Sequence, residues 1–141
     1  VGKEIADLMP SEGAPQEDTG SIIVVVATDA PLLPHQLKRI ARRVPLGLGR
    51  VGSYAGNGSG DIFIAFSTAN PGVALRVGEK QAGFLPNDSL SPLFLATVQA
   101  TEEAIVNALV AGKTMTGING NTVHGIPHDR LRELMKKYGR N

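Results

Sequence analysis

The 141-residue chain suits one domain of common size, and its 42% apolar content is enough to build a core. Its 14 Lys and Arg against 13 Asp and Glu leave a net charge of +1, which excludes a global field that would recruit nucleic acid or an anionic membrane. The absence of cysteine excludes disulfides, thiolate nucleophiles and cysteine metal sites.

No continuous apolar run approaches the roughly 18–20 residues of a membrane span. The first residues, Val1-Gly2-Lys3-Glu4, show neither a start methionine nor a signal-peptide pattern. The composition fits a reducing cytoplasm, with a periplasmic location left open because the precursor's N-terminus is missing. Residues 1–20 are rich in acids and turn formers and offer little to bury, so they are expected to be a linker or tail. At Gly20-Ser21 the chain changes character, and the run Ile22 to Ala27 predicts a strand at about 22–28 buried on both faces. Ser21 stands at the mouth of that strand. Two readings are open there: a Gly-Ser turn feeding a core strand, or a nucleophile placed beside the Gly20 carbonyl.

Pro34 suits the first position of a helix in which Leu37, Ile40, Ala41 and Val44 recur at helical spacing. Lys38, Arg39, Arg42 and Arg43 fill its other face, as a solvated surface or a phosphate-binding one. Pro45 is expected to close this helix, and residues 46–60 to form a glycine loop. Gly47-Leu-Gly49-Arg-Val-Gly52 matches the dinucleotide spacing, but it follows a helix where that motif must follow a strand and open a helix. Asp61 to Ser67 predicts a second strand. Side chains two apart in an extended chain share a face, so Ser59 and Asp61 point the same way, as a turn contact or as a polar pair lining a site. A short strand is expected at Val73–Val77. Ser91-Pro92 then predicts a long helix, with Ser91 as N-cap, and Phe94, Val98, Thr101, Ile105, Ala108 and Leu109 buried. His124 and His128 stand four apart, but Pro127 between them speaks against a shared helix face for a metal. A last helix from about 128 to 138 is expected to turn Leu131, Leu134, Met135 and Tyr138 inward and stop at Gly139. These elements give an α/β domain, and by themselves they name no function.

Several segments in order carry a resemblance. They are Gly20-Ser21 through Pro31, Pro34 through Arg43, Ser59 through Asn70, Glu103 through Leu109, Asn121-Thr-Val123 and the closing His128 to Arg140. Together they resemble the self-processing serine aminopeptidases, the group of L-aminopeptidase/D-amino-acid esterase and β-peptidyl aminopeptidase. The resemblance implies a layered αββα sandwich, of which this chain is the C-terminal part. Residues 21–141 would then be the catalytic β-subunit and 1–20 the tail of the preceding α-subunit.

The same resemblance implies self-cleavage at Gly20–Ser21, with Ser21 as the nucleophile of the mature enzyme. The family's supporting Ser-x-Glu falls on Ser59-Gly60-Asp61, whose carboxylate is one methylene shorter. It implies no cofactor and no metal, and a companion α-subunit, an oligomer of αβ units, and small peptide or amino-acid amide or ester substrates as partners. Nucleic acid and membrane are not expected partners. Glycine at position 20 lets the backbone twist its carbonyl toward Ser21 Oγ. The amine freed by cleavage, with an ordinary pKa of about 7.7–8.0, supplies a base beside its own hydroxyl. Ser59 and Asp61 would orient that amine. Two alternatives stand beside this one: an acyltransferase of the ornithine acetyltransferase type, which uses Thr as nucleophile, and a non-catalytic assembly or binding domain.

Overall fold

In the computed structural model, which describes residues 20–140, the β-branched run Ile23–Thr28 forms strand β1 and Ile62–Ser67 forms β2. They pair in parallel, with Ile23 opposite Ile62 through to Thr28 opposite Ser67. A parallel pair needs a crossover connection. Here it carries two helices, α1 (Pro34–Ala41) and α2 (Val44–Arg50). Pro45 therefore does not close a helix. It stands in the first turn of a second one, where a missing N–H leaves no bond unmade.

Helix α2 also takes in Gly47 and Gly49, which the sequence suggested were loop. Close approach explains the first of them: a Cβ on Gly47 would lie 2.6 Å from Thr101 Cβ and 2.7 Å from the Val98 carbonyl oxygen, both on α3 (Ser91–Ala111). Leu32, Ile40 and Leu90 are buried together, with Val26, Ala65 and Leu93 packed on them. Gln36 is also buried. Its Oε1 accepts from Leu33 N at 3.0 Å, and its Nε2 donates to Leu85 O at 2.7 Å and to Asn87 Oδ1 at 3.2 Å, so the start of α1 is pinned to the segment entering α3.

The two strands are not buried on both faces. Val24, Val26, Phe63 and Ala65 are half-buried on the inner face, whereas Ile23, Val25, Ile62, Ile64 and Phe66 are 44–67% exposed on the outer one. The apolar run of a parallel strand records what the finished fold covers. Among the described residues only one of its two faces has a cover.

Three further expectations are corrected. Val73–Val77 is turn and irregular chain. Leu90, not Ser91, precedes the first turn of α3, and Phe94 N donates to the buried Leu90's carbonyl oxygen at 3.0 Å. The buried residues of α3 are Thr97, Val98 and Thr101, with Phe94 and Ile105 half-buried and Ala108 and Leu109 exposed. Both threonine hydroxyls are satisfied by the carbonyl four residues back, at 2.8 Å each. With its lead-in, α3 has the length and composition to cross a membrane, a property it shares with core helices. The basic face of α1 is partly spent on packing: the guanidinium of Arg43 lies 3.8 Å from the centre of the Phe94 ring and that of Arg39 5.0 Å, a cation–π arrangement.

The chain divides into two compact units at Glu103/Ala104. Beyond that point lie the end of α3, a small antiparallel hairpin of β3 (Met115–Thr116) and β4 (Thr122–Val123), and α4 (His128–Lys137). Asn119 and Gly120 between the strands both take positive φ, the conformations Asn and Gly adopt most readily. His128 Nε2 lies 2.8 Å from Val110 O, so this ring is spent on the C-terminal end of α3. Helix α4 buries Leu134 and half-buries Leu131, while Met135 and Tyr138 stay exposed. Gly139, at φ +64°, ends it as expected.

Candidate active site

The parallel register carries β1 and β2 one step past their ends, since Ile62 N donates to Ile22 O at 3.0 Å. Ser21 then lies opposite Gly60, and Ile22 opposite Asp61. Two hydrogen bonds hold this mouth. The Gly60 amide donates to Ser21 Oγ at 2.9 Å, and Ile22 N donates to Asp61 Oδ1 at 2.9 Å. The carboxylate thus reaches the main chain one residue beyond the amine that cleavage at Gly20–Ser21 would free.

Alternation along the strands separates the four residues into two pairs. Ser21 and Gly60, both exposed, fall at outer-face positions with Ile23 and Ile62. Ser59 and Asp61, both half-buried, fall at inner-face positions with Phe63, and share a face as the sequence predicted. They line a cleft of about 390 Å³ whose floor is Pro45, Leu48 and Phe63 and whose wall runs from Ser53 to Gly56. Ala55 in that wall holds φ +52°, a strained conformation for a residue with a side chain. Ser21 does not line this cleft.

Of the sequence-predicted residues, the structure joins Ser21 to the Ser59-Gly60-Asp61 segment through Gly60, and joins Asp61 to Ile22. Ser59 shares the cleft with Asp61, while the Ser21 hydroxyl takes its hydrogen bond from Gly60 N. Gly20 is exposed, just ahead of β1. The residue that sequence reasoning missed is Gly60. Its signal was present as the one position in Ser-x-Asp without a side chain.

Comparison with known proteins decides the family. The sequence profile of peptidase family S58 matches residues 1–123. The chain belongs to peptidase family S58. It is 57% identical over 122 residues to a β-peptidyl aminopeptidase of Sphingosinicella microcystinivorans, a match covering 86% of this chain and 31% of that one. Among solved structures, the L-aminopeptidase D-Ala-esterase/amidase of Ochrobactrum anthropi, described as a variant of the Ntn hydrolase fold, superimposes with a TM-score of 0.76 at 48% identity. That match covers 85% of this chain and 34% of the other. A β-aminopeptidase of a Burkholderia species gives a TM-score of 0.79 at 42% identity, over 96% of this chain and 38% of that one. The α/β fold is therefore that of these Ntn-type family members, and the chain spans about a third of the length of the S58 relatives it matches.

Proposed function

We propose that the protein containing this chain is a self-processing aminopeptidase that cuts Gly20–Ser21 and then uses Ser21 to hydrolyse N-terminal amino-acid amides, esters and short peptides, β-linked ones among them. The observation that carries the reading is the fixed position of Ser21 Oγ, directly after Gly20 and bonded to Gly60 N at 2.9 Å. Family membership and the relatives' names support the substrate class.

In the first reaction Ser21 Oγ loses its proton and bonds to the Gly20 carbonyl carbon. The Gly20–Ser21 C–N bond breaks, the nitrogen takes up a proton, and an ester remains, which water hydrolyses to a Gly20 carboxyl and a free Ser21. The freed amine is then the base for Oγ in each later turnover. Asp61 and Ser59 support this amine from the inner face, with Asp61 acting through the Ile22 main chain. Serine at position 21 and the S58 match both speak against the threonine-based acetyltransferase alternative.

On this reading the companion α-subunit from the same precursor covers the outer sheet face, and pairs of subunits assemble further. The uncovered apolar face and the relatives' threefold greater length support it. We place the enzyme in the cytoplasm, with the periplasm as the alternative; a cysteine-free chain is compatible with both.

Intact-mass measurement of the full-length precursor tests the central claim. Two fragments are expected from the parent, the smaller beginning at Ser21, and one uncut chain from Ser21→Ala. Cleavage that persists in the variant overturns it. Amino-acid p-nitroanilides with free amines should be turned over and their acetylated counterparts should not.

A further inference from the structure

We infer that the backbone amide of Gly60 positions the Ser21 nucleophile and stabilises negative charge on Oγ, and that residue 60 lacks a side chain to leave room for that oxygen. This rests on the proposed role of Ser21 as nucleophile. Two features of one contact carry it. The Gly60 N–H donates to Ser21 Oγ at 2.9 Å. A Cβ built on Gly60 would meet that same oxygen at 3.3 Å and, chain neighbours aside, no other heavy atom among the described residues within 4 Å.

Gly60 does not take a positive φ, unlike Gly52, Gly72, Gly78, Gly120 and Gly139. Its backbone is one that alanine adopts, so conformation does not demand glycine there. Core packing does not demand it either, in contrast to Gly47, where an added methyl would strike Thr101 and the Val98 carbonyl. Among the described residues, the neighbour that such a methyl would meet is the Ser21 hydroxyl.

The chemistry follows from the inventory of a hydroxyl, which offers one donor and two acceptor sites. With one lone pair bound to Gly60 N–H, the Ser21 O–H is left to donate to its base, and Oγ is held at one place along the strand edge. When Oγ surrenders its proton and attacks, the amide faces a developing alkoxide, and hydrogen bonds to charged oxygens are about twice as strong as neutral ones. When water later expels Oγ from the ester, the C–Oγ bond breaks, its electron pair returns to Oγ, and the same N–H receives it before a proton does. One backbone donor therefore serves self-cleavage, acylation and deacylation.

Two variants of the full-length precursor test this. Gly60→Ala keeps the N–H but presses a methyl on Oγ. Replacing residue 60 by glycolic acid turns the amide into an ester and deletes the donor without adding an atom. We expect kcat on an amino-acid p-nitroanilide to fall about 10-fold in Gly60→Ala, since displacements on the ångström scale cost about 100-fold. In the ester variant it should fall about 10- to 100-fold, the scale of losing one charge-assisted hydrogen bond. In both, KM should stay within twofold, Tm should hold, and self-cleavage should slow in proportion to kcat. Parental kcat and cleavage rate in the ester variant overturn the inference, as does a loss carried by KM or Tm. If Gly60→Ala fails to fold, the ester variant decides alone. The outcomes also separate the two claims: Ser21→Ala uncut beside a fully active ester variant refutes only the role of Gly60, whereas cleavage in Ser21→Ala refutes the reading beneath it.

Discussion

Placing two carboxylates at the centre of the outer sheet face, Val25→Asp with Ile64→Asp, tests whether that face belongs to a companion segment. These residues are register partners, and their side chains are 57% and 49% exposed. Full burial of such a side chain is worth roughly 1.5–3 kcal/mol. At about half exposure each of the five apolar residues has roughly 0.7–1.5 kcal/mol left to gain, so covering the face would contribute roughly 4–7 kcal/mol. The double variant removes two of those five contributions and adds the cost of enclosing unpaired charge. A loss beyond about 2.7 kcal/mol weakens association more than 100-fold. The assay is co-elution of the two fragments of the processed precursor across a dilution series, with native mass to identify the species. Arg42→Ala, on an exposed residue next to α1, is the control. Co-elution of the Asp/Asp variant with the parental dilution midpoint would refute the assignment of this face.

Two further outcomes follow from single contacts. Gly47→Ala should lower the unfolding free energy by about 1–3 kcal/mol, the range for overpacking, and Thr101→Ser should not rescue it because the Val98 carbonyl at 2.7 Å stays in the way; full recovery in denaturant melts would contradict the packing account. Asp61→Ala strands the Ile22 N–H and should cost roughly 1–3 kcal/mol, while Asp61→Asn keeps an acceptor oxygen and should recover most of it. No loss in Asp61→Ala would mean that the 2.9 Å bond contributes nothing.

The two strands, the long helix and the Ser59/Asp61 pairing were legible because each rests on local periodicity. Val24 to Ala27 and Ile62 to Phe66 are continuous β-branched or apolar runs, and a spacing of two puts Ser59 and Asp61 on one face wherever the chain is extended. What escaped is nonlocal. Pro45 is compatible both with ending one helix and with starting another, and the second holds here, where α2 packs Gly47 closely on Thr101 of α3. The outer halves of α3 and α4 were expected to be buried because their apolar residues recur correctly; Leu109, Met135 and Tyr138 are exposed because periodicity gives a face and not its cover. The Gly60 contact depends on the register of β1 against β2, which no window along the chain contains.

That register also bears on the aspartate at position 61. A carboxylate there faces inward, away from the outer-face position of Ser21. Asp61 spans this gap to Ile22 N. On the proposed reading the next nitrogen back becomes the free Ser21 amine, and the extra methylene of a glutamate would let the same group extend toward it. On that reading the shorter side chain holds β1 at Ile22, beside Ser21. It moves the point of support one residue along β1, and leaves the hydroxyl itself to the Gly60 amide, whose position is set by the same strand pairing.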